Sequence, residues 1–253
     1  MIVAAIATLP ESISPVRYHC DSTLGEEYAM AAYILVHGAW CGGYVWREVA
    51  EQLRARGHLV FTPTLTGLAD RSHLLSPNVG LETHVRDIVN LIAWEALRDV
   101  VLVGHSYGGM VISGVAEDTP AGTIRSIVYL DAFYAPSGSS VADCAPELAG
   151  QSFTADPVPF PFQGQTGDSE LERLVTPQPL NSLTARPILS GARDRVPTRT
   201  YVLATAMPMP WFVAIATRLK EDHSWRYREI ACGHGTMREM PVQTTEILLE
   251  AAM

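Results

Sequence analysis

The chain has 253 residues, 47% of them hydrophobic, which suits one α/β domain with an elaboration and a substantial core. Its formal net charge of −9 argues against nucleic acid or an anionic membrane surface as a partner. No apolar run is long enough to span a bilayer, so no membrane partner is expected.

Residues 1–30 open with Met1-Ile2-Val3-Ala4-Ala5-Ile6, which lacks a positive leader region and is too short for a signal peptide. With Pro10, Pro15 and no clear period, they read as an N-terminal extension outside the core, and Met30 offers an internal start. Cys20, Cys41, Cys144 and Cys232 match neither a zinc pattern nor a C-x-x-C motif. They read as reduced thiols, which together with the missing leader predicts a cytoplasmic protein.

From residue 31 onward, short apolar runs alternate with helical patterns. Expected strands are Ala32–Val36, Leu59–Thr62, Val100–Val103, Ser126–Leu130, Pro187–Ser190 and Arg226–Ile230. The first, third and fourth are almost continuously apolar, as in strands covered on both faces. Tyr44–Arg56 places Val45, Val49 and Leu53 on one helical face, and Leu81–Leu97 does the same with Leu81, Val85, Ile88 and Ile92. A further helix opens near Met110, and a last one covers Val242–Ala251 behind Pro241. This alternation predicts a mostly parallel, six-stranded sheet with helices on both faces.

One segment breaks the rhythm. Residues 134–185 are rich in Pro, Gly, Ser and Asp, and Pro157, Pro159 and Pro161 forbid a regular helix there. Scattered Phe153, Phe160 and Phe162 argue for a packed cap over a site, flanked by core segments 31–133 and 186–253.

The chemistry starts at Gly104-His105-Ser106-Tyr107-Gly108, between a buried strand and a helix. G-x-S-x-G in that context is a nucleophile elbow, a turn so tight that small residues must flank the serine. A serine hydroxyl needs a general base, itself oriented by a carboxylate. Only His223 and His234 follow Ser106, and His234 is favoured because Gly233 and Gly235 hold it in a tight loop after the last strand. Asp194, just past the expected strand Pro187–Ser190, is favoured as the acid over Asp131, which follows the strand ending at Leu130. Amides of Ala39, in His37-Gly38-Ala39-Trp40, and of Tyr107 are the candidate oxyanion donors. Gly38, Trp40, Phe133, Tyr134 and Met237 are candidate pocket residues, while His37 and His105 read as structural. There is no H-E-x-x-H, G-x-G-x-x-G or Walker pattern, so no metal or cofactor is indicated.

Leu35-Val36-His37-Gly38-Ala39-Trp40, Val101 through Met110, and Gly233-His234 together resemble the α/β-hydrolase superfamily. More narrowly, they resemble the branch of plant methyl-ester esterases, hydroxynitrile lyases and small bacterial esterases. The resemblance implies an α/β-hydrolase fold, which the cap segment matches only loosely, and a Ser106–His234–Asp194 triad with oxyanion donors at Ala39 and Tyr107. The expected reaction is ester hydrolysis through an acyl-enzyme, and an apolar pocket lined by Trp40, Tyr107, Phe133, Tyr134 and Met237 would suit a small or aromatic acyl group. Lyases of this branch carry threonine and lysine where this chain has Gly38 and Gly235, which favours ester hydrolysis over lyase or C–C and C–N cleavage. A ligand-binding protein on the same fold is the remaining alternative, and a homodimer is the assembly left open.

Overall fold

A computed structural model describes residues 30–253, so the expectation for residues 1–30 lies almost wholly outside the described residues. The core alternates β1 (Ala32–Val36), α1 (Arg47–Ala55), β2 (Leu59–Phe61), α2 (Leu81–Trp94), β3 (Val100–His105), α3 (Gly108–Asp118) and β4 (Ile124–Leu130). Four short helices follow: α4 (Val141–Cys144), α5 (Pro146–Ser152), α6 (Ser169–Leu174) and α7 (Leu180–Thr184). The core then resumes with β5 (Thr198–Ala204), α8 (Pro210–Lys220), β6 (Arg226–Ile230), α9 (Thr236–Glu239) and α10 (Pro241–Ala251).

The six strands form one sheet in the order β2-β1-β3-β4-β5-β6, every neighbouring pair parallel. Each central strand sends alternate side chains to opposite faces. Ile34, Val36, Leu102, Ile127, Tyr129 and Tyr201 pack with α2, α3 and α8. Tyr33, Leu35, Val101, Val103, Val128 and Val202 pack with α1 and α10. Because both faces are covered, β3 is buried along its whole length. At the edge, β6 carries Arg226, Arg228 and Glu229, charges that discourage pairing with a further strand.

The expected strand Pro187–Ser190 does not form. The amides of Leu189 and Ser190 are taken by side chains, Ser137 Oγ at 2.8 Å and Glu117 Oε2 at 2.9 Å, and Ile188 is 83% exposed. The fifth strand is Thr198–Ala204, and α8 behind it was not anticipated. This shift matters for the site, because it moves Asp194 from the C-terminal to the N-terminal end of a strand.

Helix α3 is pressed against the sheet through glycine. A Cβ on Gly104 would lie 2.6 Å from the Gly108 carbonyl oxygen, and one on Gly109 would lie 2.3 Å from that of Phe133. Both obstacles are backbone, which cannot swing away. Gly109→Ala is therefore expected to destabilise the fold by about 1–3 kcal/mol, read as a lower Tm in a thermal melt.

Candidate functional site

The parallel strands end together at one edge of the sheet, and the loops leaving them build the site. Ser106 leaves β3 with φ of 54°, a left-handed conformation that costs a non-glycine residue about 1–2 kcal/mol. Neighbouring backbone holds it there: the Ser106 N–H donates to Leu130 O (3.4 Å), and the Phe133 N–H donates to Ser106 O (3.1 Å). The turn leaves the serine half-buried at the positive N-terminal end of α3.

His234 stands in the loop after β6. Its Nδ1 lies 2.6 Å from Asp131 Oδ2, and the Asp131 side chain is only 2% exposed. A carboxylate oxygen accepts, so the Nδ1 proton points at Asp131 and the Nε2 lone pair faces the other way. Asp131 follows β4 at φ 44° and is fixed by β5: its N–H donates to Val202 O (2.7 Å), and its Oδ1 accepts from the Ala204 N–H (3.1 Å). The imidazole stacks on Phe212, with centroids 5.4 Å apart and planes 15° apart. Its other ring neighbour is His105, the residue before the serine, at 4.4 Å. His105 Nε2–H donates to the His234 carbonyl at 2.9 Å, which ties the imidazole's loop to the elbow.

Asp194 does not belong to this arrangement. It is exposed in the turn before β5, and it accepts a hydrogen bond from the Tyr134 hydroxyl. The carboxylate on His234 is Asp131, the alternative considered from sequence. Tyr134 is likewise not in the expected pocket: its ring lies under the Arg193 guanidinium at 3.9 Å and against Trp225 at 5.0 Å. Met237 is 2% exposed and belongs to the apolar cluster with Val45, Trp46 and Leu248. Phe133 lies edge-on to Phe212, the ring stacked on His234, at 4.9 Å. Phe212 itself was missed, since nothing in its local sequence marks it.

The loop after β1 passes directly over the serine. A Cβ on Gly38 would be 3.0 Å from Ser106 Cβ and 2.9 Å from His105 Nδ1. His37 Nε2 accepts from the Leu65 N–H (3.0 Å), so its Nδ1 carries the proton and donates to Gly38 O (2.7 Å). That carbonyl shares a trans peptide with the Ala39 N–H, which must point the opposite way. Neither the Ala39 nor the Tyr107 N–H is spent in a hydrogen bond among the described residues. Trp40 sits at φ 61° and contacts the cap through Phe160 and Phe162, with centroids at 6.0 and 6.5 Å. The Tyr107 hydroxyl meets His84 Nδ1 at 2.8 Å, and His84 Nε2–H donates to Thr66 O at 2.9 Å.

The match to a family model settles what kind of chain this is. Residues 33–247 match the alpha/beta hydrolase family, and the chain belongs to it. It is 38% identical over 239 residues to a carbendazim hydrolyzing esterase of Nocardioides sp. strain SG-4G, covering 87% of this chain and 98% of the relative. It is 27% identical over 157 residues to methylesterase 8 of Arabidopsis thaliana, covering 62% of this chain and 54% of that one. Among solved structures, an extracellular α/β-hydrolase from a Paenibacillus species superposes with a TM-score of 0.75 at 28% identity, over 87% of this chain and 98% of the other. That likeness to an extracellular protein overturns the cytoplasmic expectation. No helix among the described residues is long and apolar enough to cross a membrane.

Burial lowers the pKa of both His37 and His84 from 6.5 to about 4, because the interior penalises the charged ring. His105 is lowered for the same first reason, with the neighbouring His234 adding to it. On unfolding, His37 and His84 each regain an ordinary pKa and take up a proton between about pH 6.5 and pH 4. Stability therefore falls as the pH drops through that window. His37 and His84 are each expected to remove about 2 kcal/mol between pH 7 and pH 5, seen as a lower urea midpoint. His84→Gln, which cannot titrate, is expected to flatten the slope.

Proposed function

We propose that the chain hydrolyses carboxylic esters with Ser106 as nucleophile, His234 as general base and Asp131 as the acid that orients it. The observation that carries this reading is the 2.6 Å bond between His234 Nδ1 and the buried Asp131, on an imidazole tied to the nucleophile's own strand. The Ser106 hydroxyl attacks the ester carbonyl while its proton passes to His234 Nε2. Asp131 holds the tautomer and stabilises the imidazolium. The Ala39 and Tyr107 amides hold the tetrahedral oxyanion. His234 returns the proton to the departing alcohol. It then takes one from water, which attacks the acyl-enzyme and releases the acid.

The surroundings favour small or aromatic acyl groups. Trp40 forms an aromatic cluster with the cap residues Phe160 and Phe162, and Phe133 and Phe212 form another beside His234. The hydrolytic reading is also favoured at Gly38, where even a methyl would press on Ser106 Cβ and His105. A threonine, as in the lyases, does not fit that backbone. The Nocardioides relative makes carbendazim, a methyl carbamate of an aromatic heterocycle, a fitting first substrate beside p-nitrophenyl acetate.

Ser106→Ala is expected to lower ester turnover by about 10³-fold or more, with loss of fluorophosphonate labelling. Retained turnover in that variant would refute the assignment. Asp131→Asn is expected to lower kcat by about 10²–10⁴-fold with the fold intact. Asp194→Asn, whose partner is Tyr134, is expected to stay within about threefold of the parent. The reverse ranking of the two aspartates would sink the proposed acid.

A further inference from the structure

We infer that Gln178, a cap residue, positions the oxyanion loop, so that the cap and the oxyanion hole operate as one unit. This rests on the ester-hydrolase reading above. Gln178 is fully buried, and its Oε1 accepts from the Trp40 N–H at 2.8 Å. The orientation of this amide follows from proton bookkeeping. The Ser182 hydroxyl donates to Pro179 O at 2.7 Å, so it accepts from Gln178 Nε2–H at 2.6 Å. Nε2 is thereby committed to Ser182, and Oε1 must face Trp40.

Every polar group of Trp40 ends on the cap. Its indole N–H donates to Val158 O at 3.1 Å, and its carbonyl accepts from the Thr176 N–H at 2.9 Å. Val158 and Gln178 are themselves joined by two backbone hydrogen bonds of 2.7 and 2.8 Å. The Ala39 amide therefore sits between two clamps: His37 holds the Gly38 carbonyl from below, and Gln178 holds the Trp40 N–H from the cap. The Ser182 hydroxyl also lies beside that of Tyr107, the residue supplying the other proposed donor. Without Gln178, the left-handed Trp40 backbone would lose the partner of its N–H in a buried setting, and the loop would relax. The effect belongs in the transition state, because the oxyanion forms only there.

The test compares Gln178→Leu, Ser182→Ala and Asp168→Asn with the parent enzyme. Asp168 anchors the cap elsewhere, on Arg238 at 2.6 Å, and serves as the control for cap attachment in general. Kinetics with p-nitrophenyl acetate and inhibition by a trifluoromethyl ketone, which binds as an oxyanion adduct, are read together. Gln178→Leu is expected to lower kcat about 10–100-fold with KM within about threefold. Its affinity for the ketone should fall by the same factor as kcat/KM. Ser182→Ala should show the same pattern at about 3–10-fold, which keeps the question answerable if Gln178→Leu fails to fold. Asp168→Asn should stay within about threefold. Parent-like kcat in both Gln178→Leu and Ser182→Ala, or an equal loss in Asp168→Asn, overturns the inference while the hydrolase reading stands. A parent protein that neither turns over esters nor labels at Ser106 overturns both.

Discussion

The hydrogen bond between His234 and Asp131 is the interaction on which the site depends. It joins the end of β4 to the loop after β6, two segments 103 residues apart in the chain. A carboxylate buried to 2% exposure must find its partners inside the protein. Asp131 finds them in the Ala204 amide at the end of β5 and in the imidazole. Both partners exist only if β4, β5 and β6 are in register, and the parallel ladder Ser126–Leu130 to Thr198–Val202 to Arg226–Arg228 provides it. Sheet assembly thereby sets the geometry of the imidazole, and in a dry setting that bond is stronger than it would be in water.

Around this bond, three other histidines do a different job. His37, His84 and His105 are buried, and each holds a fixed hydrogen bond to a loop of the site. Burial keeps them neutral, and a neutral imidazole can donate through one nitrogen while accepting through the other. His37 uses both nitrogens in this way, bridging Leu65 N–H and Gly38 O. A lysine could not accept there and a carboxylate could not donate. The same property makes the assembly sensitive to acid, since a protonated ring loses its acceptor.

Much of this was legible from the chain, and what was not has identifiable physical causes. Ser106 and His234 could be singled out because tight loops need glycine, and Gly104, Gly108, Gly233 and Gly235 mark them. Asp194 was favoured because Pro187-Ile188-Leu189-Ser190 reads as a strand, whereas side chains of Ser137 and Glu117 claim its amides. Those partners lie 52 and 73 residues away, beyond any local pattern. Asp131 carried the better signal, being the first residue after a fully apolar strand end. Gln178 and Phe212 carried none, because a buried glutamine and a helical phenylalanine look alike in any core.

The bond from Asp131, at the end of β4, to His234 has a counterpart in the next crossover. After β5 the chain reads Thr205-Ala206-Met207-Pro208, with no carboxylate, and goes straight into α8. Thr205 and Ala206 pair with Ile230 and Cys232 on the β6 side, which holds the start of this connection against the loop of His234. Helix α8 then delivers Phe212 flat onto the imidazole, backed by Phe133. The ring opposite His105 is therefore covered by hydrocarbon instead of water. With His105 as the other ring neighbour, that wall holds the imidazole between two rings. The carboxylate at the end of β4 and the aromatic residue beyond β5 thus hold the same imidazole, one at Nδ1 and the other across its face.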